Sequence, residues 1–371
     1  MAMKVEARRQ RWVAVAVAIL IAAAMGWWGQ PAPPAPQGPP ATPPEPRLTS
    51  QATMSANVVQ LMVAGNGAMA LGTADGLRRA RDAFTAAAGL DERYAPAHAA
   101  LADALAQLAA YGAEHPEKVL PPAISHADRS IELDPSLPLA WRALAQAEAQ
   151  WSRDWPRAEM HYERAMTLAA DSGAPASMRA QLLLATGRSD EALTAVQAVL
   201  KSNPGSADVQ ASIGLVYRFA GRPTEALACF DRALALNPKH GHAGVWRAVA
   251  LADLGRLDEA VAATQGATEA SDPRFWVAGY LQALSGRRAV AEEAFKALAI
   301  EAKRQYVPAI RFAYLSLALG QREQALQWIE TSVRERSPGA DLIAVDPTFR
   351  SLRDEPRFRA AVTAMKLDAA R

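Results

Sequence analysis

Apolar residues recur along most of this chain at the spacing of amphipathic helices, and the helical segments come in pairs. Within residues 207–240 they form one stripe on each of two segments, at Ile213, Gly214, Tyr217, Ala226, Phe230 and Ala233. Small Gly214 and Ala226 allow the two helices to approach closely, while Tyr217 and Phe230 fill the space beside them. The pattern predicts a unit of two packed helices joined by a short turn.

The turn of this unit returns at a fixed interval. Gly187-Arg-Ser-Asp-Glu-Ala-Leu recurs as Gly221-Arg-Pro-Thr-Glu-Ala-Leu and as Gly255-Arg-Leu-Asp-Glu-Ala-Val, each 34 residues after the one before. Looser copies begin at Gly286 and Gly320. The glycine supplies the left-handed conformation that ends the first helix, and the regular period indicates an array of helix-turn-helix repeats.

The same pattern covers residues 51–337 and predicts an all-α fold, an α-solenoid of about eight repeats. Two units depart from it because Arg179 and Arg247 stand where a leucine usually packs, and we expect these units to pack less well or to tilt. Another unit carries a nine-residue insertion around residues 114–116. The turn at residues 151–155 is one residue longer than the others.

Residues 338–371 no longer follow the repeat. Asp346 and Asp354 lie just before prolines, an arrangement that starts a helix. The apolar positions of this segment are Phe349, Leu352, Phe358, Val362 and Met365. We therefore expect a C-terminal helical cap that covers the last repeat.

The N-terminal region has a different pattern. Residues 1–11 are basic, and residues 12–28 are an uninterrupted apolar run with tryptophan at both ends. At 1.5 Å per residue this run spans about 25 Å as a helix, the short end of what crosses a bilayer. It predicts a transmembrane signal anchor with a cytoplasmic N-terminus and an exported remainder. A cleaved secretory signal is the alternative, because Ala22 and Ala24 offer a small-residue cleavage site.

Residues 29–50 form a proline-rich linker, with nine prolines between positions 31 and 47. Such a sequence lacks amide donors and favours the extended polyproline II conformation. We expect it to act as a semi-rigid stalk between the membrane and the solenoid.

The repeated unit resembles the tetratricopeptide repeat, and residues 207–240 occupy all of its hallmark positions. The segment from Leu90 to Ala104, the Trp-Ser-Arg-Asp-Trp turn at 151–155 and the segment from Asp346 to Phe358 are more specific. They are similar to the exported tetratricopeptide regions of bacterial membrane-spanning winged-helix regulators and of related cyclase and kinase fusions. Only eleven residues precede the apolar run, so the resemblance implies the sensor-like part without an output domain.

Composition narrows the classes of function. Of 371 residues, 6% are aromatic and only Cys229 is a cysteine, so an all-β fold, an internal disulfide and a structural zinc site are not expected. The formal net charge is +2, which offers no basic field for nucleic acid. We predict no nucleic-acid partner.

Candidate chemistry is sparse. No catalytic constellation, phosphate-binding loop or dinucleotide motif occurs, so we predict that the protein is not an enzyme and has no catalytic residues, metal or cofactor. His240 and His242 offer two metal ligands, but no nearby carboxylate or thiol accompanies them in the sequence, and an exposed structural turn is the preferred interpretation. Cys229 is expected to be a small buried residue.

If the repeats form a superhelix, inner positions of the first helix of each unit line its concave face. The repeat register assigns to this groove Asp103, Gln107, Arg142, Gln146, Gln150, Gln181, Arg218, Phe219, Asp253, Trp276, Tyr280 and Tyr314. We expect Arg142 and Arg218 to be exposed there. For Trp276, Tyr280 and Tyr314, anchoring of a bound peptide and packing between repeats are equal alternatives.

Together these features predict a membrane-anchored scaffold or adaptor in the bacterial inner membrane, with its solenoid in the periplasm. Its expected partner is another protein or a peptide segment. If the signal is cleaved, the solenoid would be soluble in the periplasm. Two alternative functions are a periplasmic sensor module of a split regulatory system and an assembly chaperone for exported complexes, such as those of cytochrome c biogenesis.

Overall fold

The computed structural model describes residues 50–169, 172–202, 205–267, 272 and 274–366. Within these ranges the chain forms seventeen α-helices and two short 3₁₀ helices, and none of the described residues lies in a strand. The predicted all-α fold is confirmed.

Sixteen of the α-helices form eight consecutive pairs, which agrees with the predicted number of repeats. In chain order the pairs are α1 (Ser50–Met69) and α2 (Ala74–Leu90), α3 (Ala95–Ala110) and α4 (Pro116–Leu133), α5 (Pro138–Trp151) and α6 (Trp155–Leu168), α7 (Gly173–Ala185) and α8 (Ser189–Ser202), α9 (Ala207–Phe219) and α10 (Pro223–Leu236), α11 (Gly241–Asp253) and α12 (Leu257–Ala263), α13 (Phe275–Leu284) and α14 (Arg288–Glu301), and α15 (Ala309–Ala318) and α16 (Arg322–Arg334). The 3₁₀ helices η1 (Ala340–Leu342) and η2 (Pro347–Leu352) and then α17 (Pro356–Ala364) follow.

A glycine with positive φ follows the first helix in seven of the eight pairs, and five of these glycines belong to the motif that recurs in the sequence. Gly187, Gly221, Gly255, Gly286 and Gly320 have φ values between 73° and 83°. At each site the next residue donates its amide hydrogen to a carbonyl five positions back, at 2.8–2.9 Å. This hydrogen-bonded turn favours glycine, because glycine has no Cβ atom and adopts a positive φ without strain. The turn recurs in each of these five repeats and so accounts for the 34-residue period of the glycine motif.

The two helices of the fifth pair pack as the sequence predicts. A Cβ atom added to Gly214 of α9 would lie 2.6 Å from Cε1 of Phe230 in α10. Gly65 and Phe84 repeat this close approach between α1 and α2. In both pairs the phenyl ring occupies the space that a larger residue on the first helix would need.

The two arginines at leucine positions are accommodated by ion pairs with the preceding unit. Arg179 of α7 contacts Glu159 at 2.5 Å and Glu163 at 3.1 Å, both on α6. Arg247 of α11 contacts Asp231 of α10 at 2.5 Å. Each guanidinium therefore bridges adjacent repeats where a leucine would pack.

The C-terminal segment buries the five apolar side chains predicted to form the cap, namely Phe349, Leu352, Phe358, Val362 and Met365. It does more than cover the last repeat, because it also touches the turn between α5 and α6. The indole nitrogen of Trp155 donates to the carbonyl of Met365 at 3.0 Å. Arg336, at the end of the last repeat, reaches the same turn, and its guanidinium lies 4.4 Å from the Trp151 ring centre. Arg336 also donates to the carbonyl of Trp151 at 2.7 Å.

A second contact joins the α3–α4 loop to the start of α15. Arg311 donates to the carbonyl of Tyr111 at 3.3 Å, and the rings of His115 and Tyr306 lie 4.8 Å apart. The insertion in the second unit supplies this loop, and α3 and α4, at 16 and 18 residues, are also longer than most helices of the array. Through these two contacts the solenoid curls until its last units meet its second and third.

The predicted transmembrane helix at residues 12–28 and the linker at 29–49 lie outside the described residues. Among the helices that are described, none combines the length and the apolar character needed to cross a bilayer. The anchor therefore stays a prediction from the sequence.

Candidate binding cavity

The curled array encloses a cavity of about 1360 Å³. Its walls are inner faces of α5, α7, α9 and α11, closed by the α3–α4 loop on one side and by the start of α15 and η1 on another. The cavity exists only because the last repeats return to the second and third.

Eight residues assigned to the concave groove line this cavity: Gln107, Arg142, Gln146, Gln150, Gln181, Phe219, Trp276 and Tyr314. They come from six different helices, each of which is the first helix of its repeat. The repeat register therefore places these side chains on the inner surface.

The remaining four assigned residues, Asp103, Arg218, Asp253 and Tyr280, are absent from the cavity lining. The expected exposure of Arg218 is wrong, because this residue is 0% exposed. Its guanidinium donates to Asp253 at 2.7 Å, to Asp346 at 3.3 Å and to Thr348 at 3.0 Å. Two carboxylates and a hydroxyl offset the cost of removing this charge from water, so Arg218 ties α9 and α11 to the cap.

The aromatic residues favour the packing alternative. Trp276, Tyr280 and Tyr314 are all buried, and Tyr314 lies 5.1 Å from Trp276 and 5.7 Å from Tyr280 between ring centres. The Tyr314 hydroxyl donates to Asp346. Trp276 and Tyr314 still contribute surface to the cavity wall, so packing and lining occur together at these two positions.

A polar group on α3 and α5 is held in a fixed arrangement. Arg142 lies 2.7 Å from Oδ1 of Asp103, and Gln107 donates to Oδ2 of the same carboxylate at 3.0 Å. The buried Oε1 of the neighbouring Gln146 accepts no hydrogen bond from the described part of the chain. The wall thus offers an amide oxygen whose hydrogen-bonding capacity is unused.

The two histidines at the start of α11 have structural partners. The prediction of an exposed turn is wrong for His240, which is 2% exposed, accepts from the Ala243 amide at 3.1 Å and lies 3.0 Å from Asp208. His242 accepts a hydrogen bond from Trp246 at 2.9 Å and stacks on Tyr111. Burial, and then the neighbouring His240, lowers the pKa of His242 to about 3. Among the described residues no group of three or more potential ligands could hold a metal ion.

Two charged residues that sequence reasoning missed also line the cavity. Arg311 lies in the first turn of α15, and Asp341 lies in η1, outside the repeats. Neither forms an ion pair with another described residue. Burial lowers the pKa of Arg311 to about 10 and raises the pKa of the Asp341 carboxyl. The repeat register could have placed Arg311 on the inner side, but no repeat signal covers Asp341.

Comparison with known proteins identifies the repeats. Residues 152–214 and 212–274 match two family models that both describe the tetratricopeptide repeat. The chain contains tetratricopeptide repeats. Proteins built from them generally mediate protein–protein interactions through the surfaces that the array presents. A search of curated protein sequences found no match.

Several solved structures are similar to this chain. TTC0263, a thermophilic TPR protein from Thermus thermophilus, is 18% identical, with a TM-score of 0.44 over 53% of this chain and 99% of its own. YrrB, a TPR protein with an unusual peptide-binding site, is 21% identical, with a TM-score of 0.33 over 50% of this chain and 94% of its own. The human IFIT1 dimer with m7Gppp-AAAA is 15% identical, with a TM-score of 0.57 over 76% and 72%. The last match supports the all-helical repeat fold across most of the chain.

A tetratricopeptide array is typically a non-catalytic scaffold. Cys229, on α10, is buried as predicted and does not line the cavity. Burial raises the pKa of its thiol to about 11, which keeps it protonated at neutral pH. The side chains on the cavity wall offer hydrogen bonds, charges and aromatic contacts, which are interactions that bind a ligand.

Proposed function

We propose that this chain is a non-enzymatic, membrane-anchored adaptor that binds a peptide segment of a partner protein in its central cavity. The observation that carries the proposal is the cavity itself, about 1360 Å³ in volume and lined by polar and aromatic side chains. This volume exceeds that of a pocket for a single small molecule and suits a short length of polypeptide.

The lining supports binding of peptide backbone. Five glutamines, Gln107, Gln146, Gln150, Gln181 and Gln305, line the cavity, and a side-chain amide can both donate and accept hydrogen bonds. Gln107, Gln150 and Gln305 already donate to other residues of the chain, so their amide oxygens are the groups they offer to a bound segment. Phe219, Trp246 and Trp276 add aromatic surface, the kind that anchors bound peptides. Ion pairs and ring contacts already hold much of this wall in place, so less freedom is lost on binding.

The proposed location rests on the sequence. The apolar run at 12–28 supports an inner-membrane anchor, and the motif similarity to exported regulator regions supports a periplasmic solenoid. A reporter enzyme fused after residue 60, combined with N-terminal sequencing of the mature chain, tests both topology and cleavage. Reporter activity specific to the cytoplasm would contradict the proposal.

Binding can be tested on the full chain in detergent with a randomised pool of peptides of about six residues, roughly 20 Å when extended. We expect Gln181→Trp, which fills the cavity, to lower retention of the pool at least tenfold. Gln327→Trp is the matched control, because Gln327 is exposed on α16 and does not line the cavity. Equal retention by both variants would contradict binding in the cavity.

A single-stranded oligoadenylate serves as the counter-probe in the same assay. The cavity wall carries Asp208, Asp272 and Asp341 beside its arginines, so it is not a uniformly basic surface for a polyanion. We expect no retention of the oligonucleotide at physiological salt. Retention that Gln181→Trp abolishes would contradict the choice of peptide as the ligand.

A further inference from the structure

The loop between α3 and α4, residues 111–115, crosses one side of the cavity, and we call it the strap. It lies in the insertion that sets the second unit apart from the other repeats. Residues 111–113 of the strap line the cavity. So do Pro308 and Arg311, at the start of α15, which the strap touches. Because both sides of this contact belong to the cavity wall, their separation would open the wall.

On its own side of the array the strap is held by hydrogen bonds to a charged side chain. Arg78 of α2 donates to the carbonyl of Ala113 at 2.9 Å and to the Glu114 carboxylate at 3.1 Å. The Gly112 amide donates to the carbonyl of Ala109 at 2.9 Å, at the end of α3. The strap is therefore joined to the first two units and would move with them.

The contact between the strap and α15 is much weaker. Its one hydrogen bond among the described residues runs from Arg311 to the carbonyl of Tyr111 at 3.3 Å. The rings of His115 and Tyr306 also meet edge to face, with their centres 4.8 Å apart. No ion pair between described residues crosses this contact, so few interactions oppose its separation.

The other contact that closes the array is stronger. Residues 150–155, around the α5–α6 turn, share five hydrogen bonds with residues 333–365. A guanidinium stacked on an indole ring adds to them. Local opening of a protein occurs where the fewest interactions must be broken. The strap should therefore leave α15 while the contact at residues 150–155 stays closed.

We propose that the strap separates from α15 to admit a segment of the partner protein and then closes over it. This inference rests on the proposed function and adds the route by which the ligand enters. A wall that opens along its length admits an internal segment of a folded partner from the side. A wall that stays closed admits only a free chain end.

A disulfide across the contact tests the proposal. A Cβ atom added to Gly112 would meet Cγ of Pro308. The Cβ atoms of cysteines at these two positions would therefore lie about 4 Å apart or less, a separation that a disulfide bridges. Gly112→Cys with Pro308→Cys should form this bond on oxidation. The native Cys229 is buried and does not line the cavity, so it does not compete for the pair.

The probe is a randomised segment of about six residues between two small folded domains, joined on each side by a flexible glycine–serine arm. We expect the full wild-type chain in detergent and the reduced double variant to retain it. Oxidation of the double variant should lower retention by about tenfold or more, and reduction should restore it. The two single-cysteine variants are the matched controls, because they carry the same substitutions but cannot form the bond.

A second variant loosens the strap without changing the cavity wall. His115 does not line the cavity, and His115→Ser removes its ring contact with Tyr306. Serine can still accept the hydrogen bond from the Glu117 amide that His115 accepts at 3.2 Å, so the start of α4 is preserved. Association of the flanked probe should become about threefold faster or more, because a required conformational change slows binding.

Equal retention by the oxidised and reduced double variant, with the disulfide confirmed by mass spectrometry, would overturn the inference. An unchanged association rate of His115→Ser at unchanged thermal stability would also overturn it, and this result decides if the double variant does not fold. A wild-type chain that retains free peptides but not the flanked probe would refute entry from the side alone. If it retains neither, the proposed function is contradicted as well.

Discussion

At the scale of single residues, Arg218 shows how a side chain expected in a binding groove becomes part of the framework. Its guanidinium is fully buried between Asp253 of α11 and Asp346, which precedes η2. Asp346 also accepts from the Thr348 amide at 2.8 Å and so starts η2. Removing the arginine would leave two carboxylates close together without their shared cation.

We expect Arg218→Met to lower the free energy of unfolding by about 3 kcal/mol, because removing the arginine leaves the buried carboxylates of its partners without a countercharge. Chemical denaturation monitored by circular dichroism measures the change. Asp253→Asn added to Arg218→Met should recover part of the lost stability, since it removes one of the two unpaired buried charges. Arg222→Ala is the control, because Arg222 pairs with Glu225 at the surface and its removal should cost about 0.5 kcal/mol or less.

His242 gives the fold a dependence on pH. Its pKa is about 3 when folded, against about 6.5 in an unfolded chain, so below pH 6.5 the unfolded chain binds a proton that the folded chain excludes. The free energy of unfolding should therefore decrease as the pH is lowered below about 6.5. His242 alone should account for a loss of about 1–2 kcal/mol between pH 7 and pH 5.

His242→Gln tests this directly, because glutamine can still accept the hydrogen bond from Trp246 but does not titrate. The variant should lose less stability than the wild-type chain when denaturation at pH 7 and pH 5 is compared. Equal losses would contradict the low pKa of His242.

At the scale of helices, the distance of approach within a pair depends on which residue faces the phenyl ring. Gly214 has no room for a methyl group against Phe230. A Cβ atom added to Gly244 in α11, in contrast, would have no neighbouring atom within 4 Å. Both glycines lie inside helices. They therefore separate the packing role of glycine from its intrinsic cost in a helix.

Gly214→Ala should destabilise the chain by about 1–3 kcal/mol, because the two helices must separate or the ring must move. Gly244→Ala should stabilise it by about 0.5–1 kcal/mol, because alanine favours the helix and meets no neighbour. Thermal unfolding of the two variants against wild type checks both signs. Destabilisation by Gly244→Ala would contradict the open space beside that helix.

At the scale of the whole molecule, closure of the solenoid involves residues at helix ends where glycine usually stands. Arg153, Arg336 and Lys366 have φ values of 53°, 56° and 58°, and are the non-glycine residues with positive φ in the described chain. Arg153 and Arg336 use their side chains to join the third unit to the last helices. A positive φ costs an arginine more conformational free energy than a glycine, but the arginine side chain makes a contact that glycine could not make.

Replacing both Arg153 and Arg336 with glycine should relax the backbone yet weaken closure. Hydrogen exchange should then be about tenfold faster or more in η2 and α17, which close the array. Lys366→Gly is the matched control, because it makes the same backbone change but removes no side-chain contact to the third unit. Unchanged exchange in the double variant would show that the apolar cap alone holds the array closed.

The sequence by itself determined the helical pairs, their number and the glycine turns between them. These follow from contacts and backbone conformations inside one repeat, such as Gly214 against Phe230 and the left-handed Gly221. The five apolar residues of the cap were also predictable, because their burial requires only one adjoining surface. The same register placed Gln107, Arg142 and Gln181 on the inner side, as a consequence of helical periodicity.

Only the tertiary structure decided whether an inner residue meets a ligand, water or another part of the chain. Arg218 is buried because the cap brings Asp346 to it from 128 positions away, and the cavity exists because Trp155 and Met365 meet across 210 positions. Arg311 and Asp341 become neighbours of one cavity through the same closure. The physical reason is that curvature adds up small rotations over many repeats, so no single repeat contains the information on which distant units meet.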